Sequence, residues 1–119
     1  RVLDADGLMA AQRLVRRVPV GESVVEAILD LVRRGRPESS DLPEVERNVA
    51  WGPGPRASQA LMLSARARAL LDGRLAPSVD DVAALARPVL KHRMALNFAA
   101  RADGVTLDDV IDRLVAPLG

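Results

Sequence analysis

The chain has 119 residues, 49% of them apolar, with 17 Lys and Arg against 16 Asp and Glu. That length and apolar share suit a single domain with one modest core, and they argue against disorder. A net charge of +1 and only two aromatic residues, Trp51 and Phe98, argue against a nucleic-acid binder or an anionic-membrane binder. Cysteine is absent, so disulfides, thiolate metal sites and cysteine nucleophiles are excluded, which suits a cytoplasmic protein. No apolar run approaches the roughly 20 residues that span a bilayer, so no membrane insertion is expected.

Apolar spacing is helical almost throughout, and no stretch alternates as a strand. Leu8, Ala11, Leu14, Val15 and Val18 form a first apolar stripe, with Asp4 or Asp6 as cap and Pro19 as the stop. A second helix is predicted from Glu22 to Arg34, burying Val24, Val25, Ile28, Leu29, Leu31 and Val32. Asp30 is placed to meet Arg33 or Arg34 one turn later, and Gly35 ends the helix. From Arg36 to Gly54 the pattern breaks into prolines, serines and glycines. This reads as a long irregular connection, with Arg36 to Trp51 the most mobile part of the domain and Trp51 itself packed against the domain or its neighbour.

A strong helix follows from Pro55 to about Asp72, with Pro55 at its first position, Gly54 before it and Gly73 closing it. Two later starts share one pattern, Ser78-Val-Asp-Asp-Val82 and Thr106-Leu-Asp-Asp-Val110. Each sets a hydroxyl at the cap and an Asp three residues on, close to a capping box. Pro88 is expected to split residues 78–94 into two short helices, and a last helix runs from about Leu107 to Ala116. The reading is all-α, a small bundle of about six helices.

Catalytic constellations are scarce. Lys91 is the one lysine and no glycine-rich run leads into it, so there is no P-loop. His92 is the one histidine, too few for a zinc site, and a surface or interdomain role is expected for it. Asp80–Asp81 and Asp108–Asp109 lie in first helical turns, where capping explains them without a metal. The basic clusters Arg13–Arg16–Arg17 and Arg33–Arg34–Arg36 sit near helix C-termini and read as solvated faces. One residue breaks a local rule: Arg56, directly after Pro55, puts a cation at the positive end of a helix dipole. A bound anion would turn that penalty into attraction, and the Arg56 side chain would have to supply it, since two residues of Gly52-Pro-Gly-Pro55 lack an N–H.

The stretch Gly52-Pro-Gly-Pro-Arg56-Ala-Ser, opening a long Ala/Leu helix, resembles the sensor-2 motif of MoxR-type AAA+ ATPases. Further landmarks match in the same order: Val18-Pro-Val20, Leu31-Val-Arg-Arg-Gly-Arg36, Ser78 to Val82, Val89-Leu-Lys-His-Arg93 and Gly104 to Val110. The resemblance spans essentially residues 1–119 and implies the C-terminal, AAA+ lid-like helical domain, without the nucleotide-binding core that carries the Walker motifs. It implies that Arg56 is the sensor-2 arginine, reaching the terminal phosphates of ATP and serving both binding and hydrolysis. It also implies that ATP with Mg is held mainly by the core, so this chain by itself is expected to be inactive and to bind neither tightly. The family often has Ser where this chain has Gly54, which leaves the helix start here less firmly capped. Implied partners are the AAA+ core, neighbouring subunits of a ring oligomer and a von Willebrand factor A domain protein. The implied role is a chaperone-like complex that assembles or activates client proteins, including by metal insertion. The alternatives are a stand-alone helical module that binds a protein through residues 36–54 and, weakest because of the neutral charge, a helix-turn-helix DNA binder.

Overall fold

A computed structural model describes residues 4–118. Among them are seven α-helices: α1 (Ala5–Arg17), α2 (Glu22–Arg34), α3 (Pro43–Asn48), α4 (Pro55–Leu71), α5 (Val79–Leu90), α6 (Phe98–Ala102) and α7 (Leu107–Val115). Two short strands, β1 (Val49–Trp51) and β2 (Ala95–Leu96), pair antiparallel, and a 3-10 turn follows α7. The domain is all-α as expected, with one helix more than the apolar spacing shows and a small ribbon besides.

Helix α4 is the spine. Ala57, Leu61, Ala65 and Ala69 recur every fourth residue and are all fully buried, so they share one face. Three of these four are alanine, which lets α2 and α5 pack close against that face. Ile28 and Leu31 from α2, Leu90 from α5, and Ile111 and Leu114 from α7 complete the core. Burying side chains of this size contributes about 1.5–3 kcal/mol each. Gly73 adopts a φ of 73°, the left-handed conformation that ends α4 where the sequence places its stop.

Several expectations need correction. The segment expected to be irregular contains α3 and β1: Pro43 takes the first position of α3, and Val45 and Val49 are buried in the core. β1 then pairs with β2, Val49 facing Leu96 and Trp51 facing Ala95. Asn97 fastens this unit from nearly half the chain away. Its amide donates to the Arg47 carbonyl at 2.6 Å, its N–H to the Asn48 carbonyl at 2.8 Å, and its Oδ1 accepts the Ala100 N–H that starts α6. Trp51 does not pack against its own domain: its side chain lies 56% exposed, and the valines do the anchoring.

Pro88 does not divide its helix, and α5 runs unbroken through it. A proline removes the hydrogen bond to the carbonyl four residues earlier, here Ala84. Ala84 and Pro88 are both exposed, so water can satisfy that carbonyl. The stripe of α1 is only partly used: no residue of α1 is buried, and Leu8 and Leu14 are exposed. Its main neighbour is α4, and packing on one side cannot enclose a side chain. Leu29 of α2, expected in the core, is also exposed.

The arginines at the end of α2 are more than a solvated face. Arg34 is largely buried and donates to Asp41 at 3.0 Å and to the Leu114 carbonyl at 3.3 Å, which ties α2 to the following turn and to α7. Arg33 meets Asp30 at 3.3 Å as the spacing predicts, and Arg36 meets Glu38 at 2.7 Å. No helix among the described residues is long and apolar enough to cross a membrane.

Candidate functional site

The start of α4 is built by a backbone crossing. A Cβ on Gly52 would lie 2.4 Å from the Gly35 carbonyl oxygen and 2.7 Å from the Arg36 Cα, so only glycine fits where β1 leaves the ribbon over the end of α2. Pro53 is fully buried and its ring lies 3.0 Å from where a Gly35 Cβ would stand. Gly54 follows in extended conformation with open space around it, and Pro55 sets the first turn of α4. Gly35 and Gly52 thus clamp the two helices at this corner.

Arg56 emerges from this corner exposed to solvent, with no hydrogen bond or ion pair to any described residue. The first turn of α4 carries no acid, and Gly54 offers no side-chain cap. Pro55 has no N–H and the Ala57 N–H turns back to the Gly54 carbonyl at 3.0 Å. The guanidinium of Arg56 is therefore the donor with reach at this helix end. Beside it, a groove of about 440 Å³ runs between α2 and α4, lined among others by Arg33, Arg36, Pro55, Ser58 and Gln59. Arg33 and Arg36 are already paired with Asp30 and Glu38, so the open cation at this end is Arg56, at the positive end of the helix dipole, where an anion would be attracted.

The other flagged residues lie elsewhere and do different things. Asp81 caps α5, its carboxylate accepting the Ser78 N–H at 2.7 Å. It also receives both terminal nitrogens of Arg74 at 2.7 Å, and Arg68 approaches at 3.2 Å. The Arg74 guanidinium is the main reason its pKa falls from 3.8 to about 2, with the Ser78 N–H and the Arg68 charge adding to it against the opposing effect of burial. Capping was legible from the spacing, but the buried ion cluster was not, since Arg68 and Arg74 give no local sign of sharing a partner. Thr106 caps α7 by accepting the Asp109 N–H at 3.1 Å. Asp108 and Asp112 face Arg87 of α5. His92 is exposed in the turn between α5 and β2, away from any acidic partner, and the structure gives it no distinct role.

A family model for the AAA lid domain matches residues 43–114. Chaperone MoxR1 of Mycobacterium tuberculosis is 31% identical over 116 residues, covering 97% of this chain and 31% of that protein. An uncharacterized protein of Bacillus subtilis, YeaC, is 31% identical over 115 residues, covering 97% of this chain and 33% of its own. The chain thus spans about a third of the length of these curated relatives. Among solved structures, a putative ATPase from Cytophaga hutchinsonii superposes with a TM-score of 0.82 at 22% identity, over 98% of this chain and 43% of the other, which shows a shared fold.

Proposed function

Because the chain belongs to the AAA lid domain family, we propose that it serves as the C-terminal lid of a MoxR-type ATPase, with Arg56 as the residue that senses bound nucleotide. The observation that carries this reading is the exposed, unpartnered guanidinium of Arg56 on a rigidly clamped helix start. ATP, bound with Mg by a separate core domain, supplies the phosphoanhydride bond that is cleaved. Arg56 donates hydrogen bonds to the terminal phosphate and steadies the charge that is redistributed as that bond breaks. Helix α4 is packed along its whole length, so Arg56 moves only when the lid moves as a body. Closure of the lid and arrival of the cation are then one event. The relative named as a chaperone, MoxR1, extends the proposal to a chaperone-like ring assembly in which the lid faces its own core and a neighbouring subunit.

The test uses the full-length protein. Arg56→Ala is expected to slow ATP hydrolysis about a hundredfold to a thousandfold, the equivalent of roughly 3–4 kcal/mol of barrier, while ATP affinity changes far less. Arg56→Lys restores activity only in part, because an ammonium lacks the planar fork. Arg13→Ala, an exposed arginine on α1, leaves turnover within a few-fold. Equal behaviour of the Arg56 and Arg13 variants would sink the assignment. The 119-residue chain by itself is expected to release no phosphate from ATP; release that scales with its concentration would contradict the lid reading.

A further inference from the structure

The chain's two aromatic residues are both on the surface, Trp51 at 56% and Phe98 at 81% exposure. Burying either would stabilise the fold by about 1.5–3 kcal/mol, and that stabilisation is forgone twice on one small unit. Trp51 ends β1 opposite Ala95, and Phe98 opens α6 two residues after β2. The ribbon also joins two stretches without a single carboxylate: no Asp or Glu occurs from residue 47 to 71 or from residue 82 to 102.

The cations of these stretches differ in their partners: Arg56 and Arg66 lie on α4, and Arg93 donates to the Val89 carbonyl at 3.0 Å. Arg68 and Arg87 meet acids of neighbouring elements. Arg47 at the end of α3, Lys91 in the turn before β2 and Arg101 on α6 are exposed and meet no carboxylate of a described residue. Around the ribbon this leaves an exposed tryptophan, an exposed phenylalanine and three cations without a carboxylate partner, with Glu46 beside Arg47 and Asp103 at the end of α6 as the exposed carboxylates at the border. Trp, Phe and Arg are enriched, and Asp and Glu depleted, where proteins dock on one another. A local basic surface on a chain of net charge +1 selects an oppositely charged polypeptide. Two aromatics at opposite ends of one ribbon do not form the run of stacking platforms that a nucleic-acid strand needs.

We propose that the face around the β1–β2 ribbon, with Trp51 and Phe98 as apolar anchors and Arg47, Lys91 and Arg101 as flanking cations, docks an acidic polypeptide segment carrying apolar side chains. The proposal concerns a different surface from the one that holds Arg56 and stands whether or not Arg56 senses nucleotide.

The probe is a fluorescently labelled peptide of alternating Glu and Leu, titrated with the 119-residue chain and read by anisotropy. Saturable binding is expected, with a blue shift in the emission of Trp51, the chain's one tryptophan. Trp51→Ala and Phe98→Ala should each weaken binding about tenfold or more. The double variant Arg47→Glu/Arg101→Glu should abolish it, and Arg13→Glu on α1 should leave it unchanged. All these side chains are exposed, and unchanged far-UV circular dichroism verifies that the variants fold. Equal binding of a Lys/Leu peptide would overturn the charge argument. Binding of oligothymidylate instead of the acidic peptide, or self-association that shifts Trp51 emission without peptide, would overturn the choice of occupant. A Trp51 already blue-shifted and inert to the peptide in a longer ATPase would show that the face belongs to its own core.

Discussion

At the start of α5, the buried Asp81 carboxylate meets Arg74, Arg68 and the Ser78 N–H; at the start of α4, Arg56 meets none of the described residues. Both helices follow a proline-containing turn, and both put charge into the first turn. At α5 the charge is negative, agrees with the dipole and is consumed inside the fold. At α4 it is positive, opposes the dipole and is left open. The α5 start is closed around its own side chains and contributes stability. The α4 start is equally rigid in its backbone, through the Gly35–Gly52 crossing, yet keeps its guanidinium available. Rigid placement of an unsatisfied group is what a ligand contact requires, and it separates the two ends more sharply than charge alone.

The largest effect on stability is expected from Gly52→Ala. Its methyl would collide with backbone atoms of Gly35 and Arg36 that cannot rotate away, and the loss should be about 3 kcal/mol, the upper end for overpacking. Urea unfolding measures it; an unchanged midpoint would mean that the crossing is loose and α4's start is not clamped.

Asp81→Ala comes next, at about 2 kcal/mol from a lost cap and a lost charge-assisted bond. The figure stays below that of a fully buried pair because Arg74 is 37% exposed and regains water when left alone. Arg74→Ala should cost less than Asp81→Ala, since Arg68 remains beside the carboxylate.

Acid distinguishes the two helix starts in a third way. The Asp81 carboxyl titrates at about 2 in the folded chain, below its usual 3.8. Unfolded chain therefore takes up this proton first, and the stability it contributes is complete above about pH 4 and disappears as pH falls through about 2. Urea midpoints of the wild-type chain and of Asp81→Asn should converge over that range, while Arg56→Ala follows the wild-type curve. Parallel curves for wild type and Asp81→Asn would show that the cluster does not depress the pKa.

The smallest effects lie at the open end. Gly54→Ser supplies a side-chain cap where space is free, worth a few tenths of a kcal/mol. Arg56→Ala should change stability by less than about 0.5 kcal/mol, in the stabilising direction, because it removes a cation from the positive end of α4. A loss above about 1 kcal/mol would make Arg56 a structural residue and erase the contrast with Asp81.

Helices α2 and α4, and the caps at Asp4, Ser78 and Thr106, stand where local spacing puts them. Each depends on residues within one or two turns, and the hydroxyl–x–x–acid pattern and the bounding glycines are visible at that range. Arg56 was legible for the same reason, as a charge on the wrong end of a helix. Residues 43–51 were not legible, because α3 is short and β1 is held by Leu96 and Asn97, nearly half the chain away. A three-residue strand carries no period of its own; it exists because a partner supplies its hydrogen bonds.

What the sequence by itself determined is where helices begin and end and where charge opposes a dipole, since hydrogen bonds and capping act over a few residues. Tertiary structure alone decided which apolar faces are enclosed. The stripe of α1 and the two aromatics look as fit for a core as Ile28 or Leu61, but burial requires neighbours on every side. Those neighbours come from α2, α4, α5 and α7 for Ile28 and Leu61, whereas the described residues leave Trp51 and Phe98 exposed.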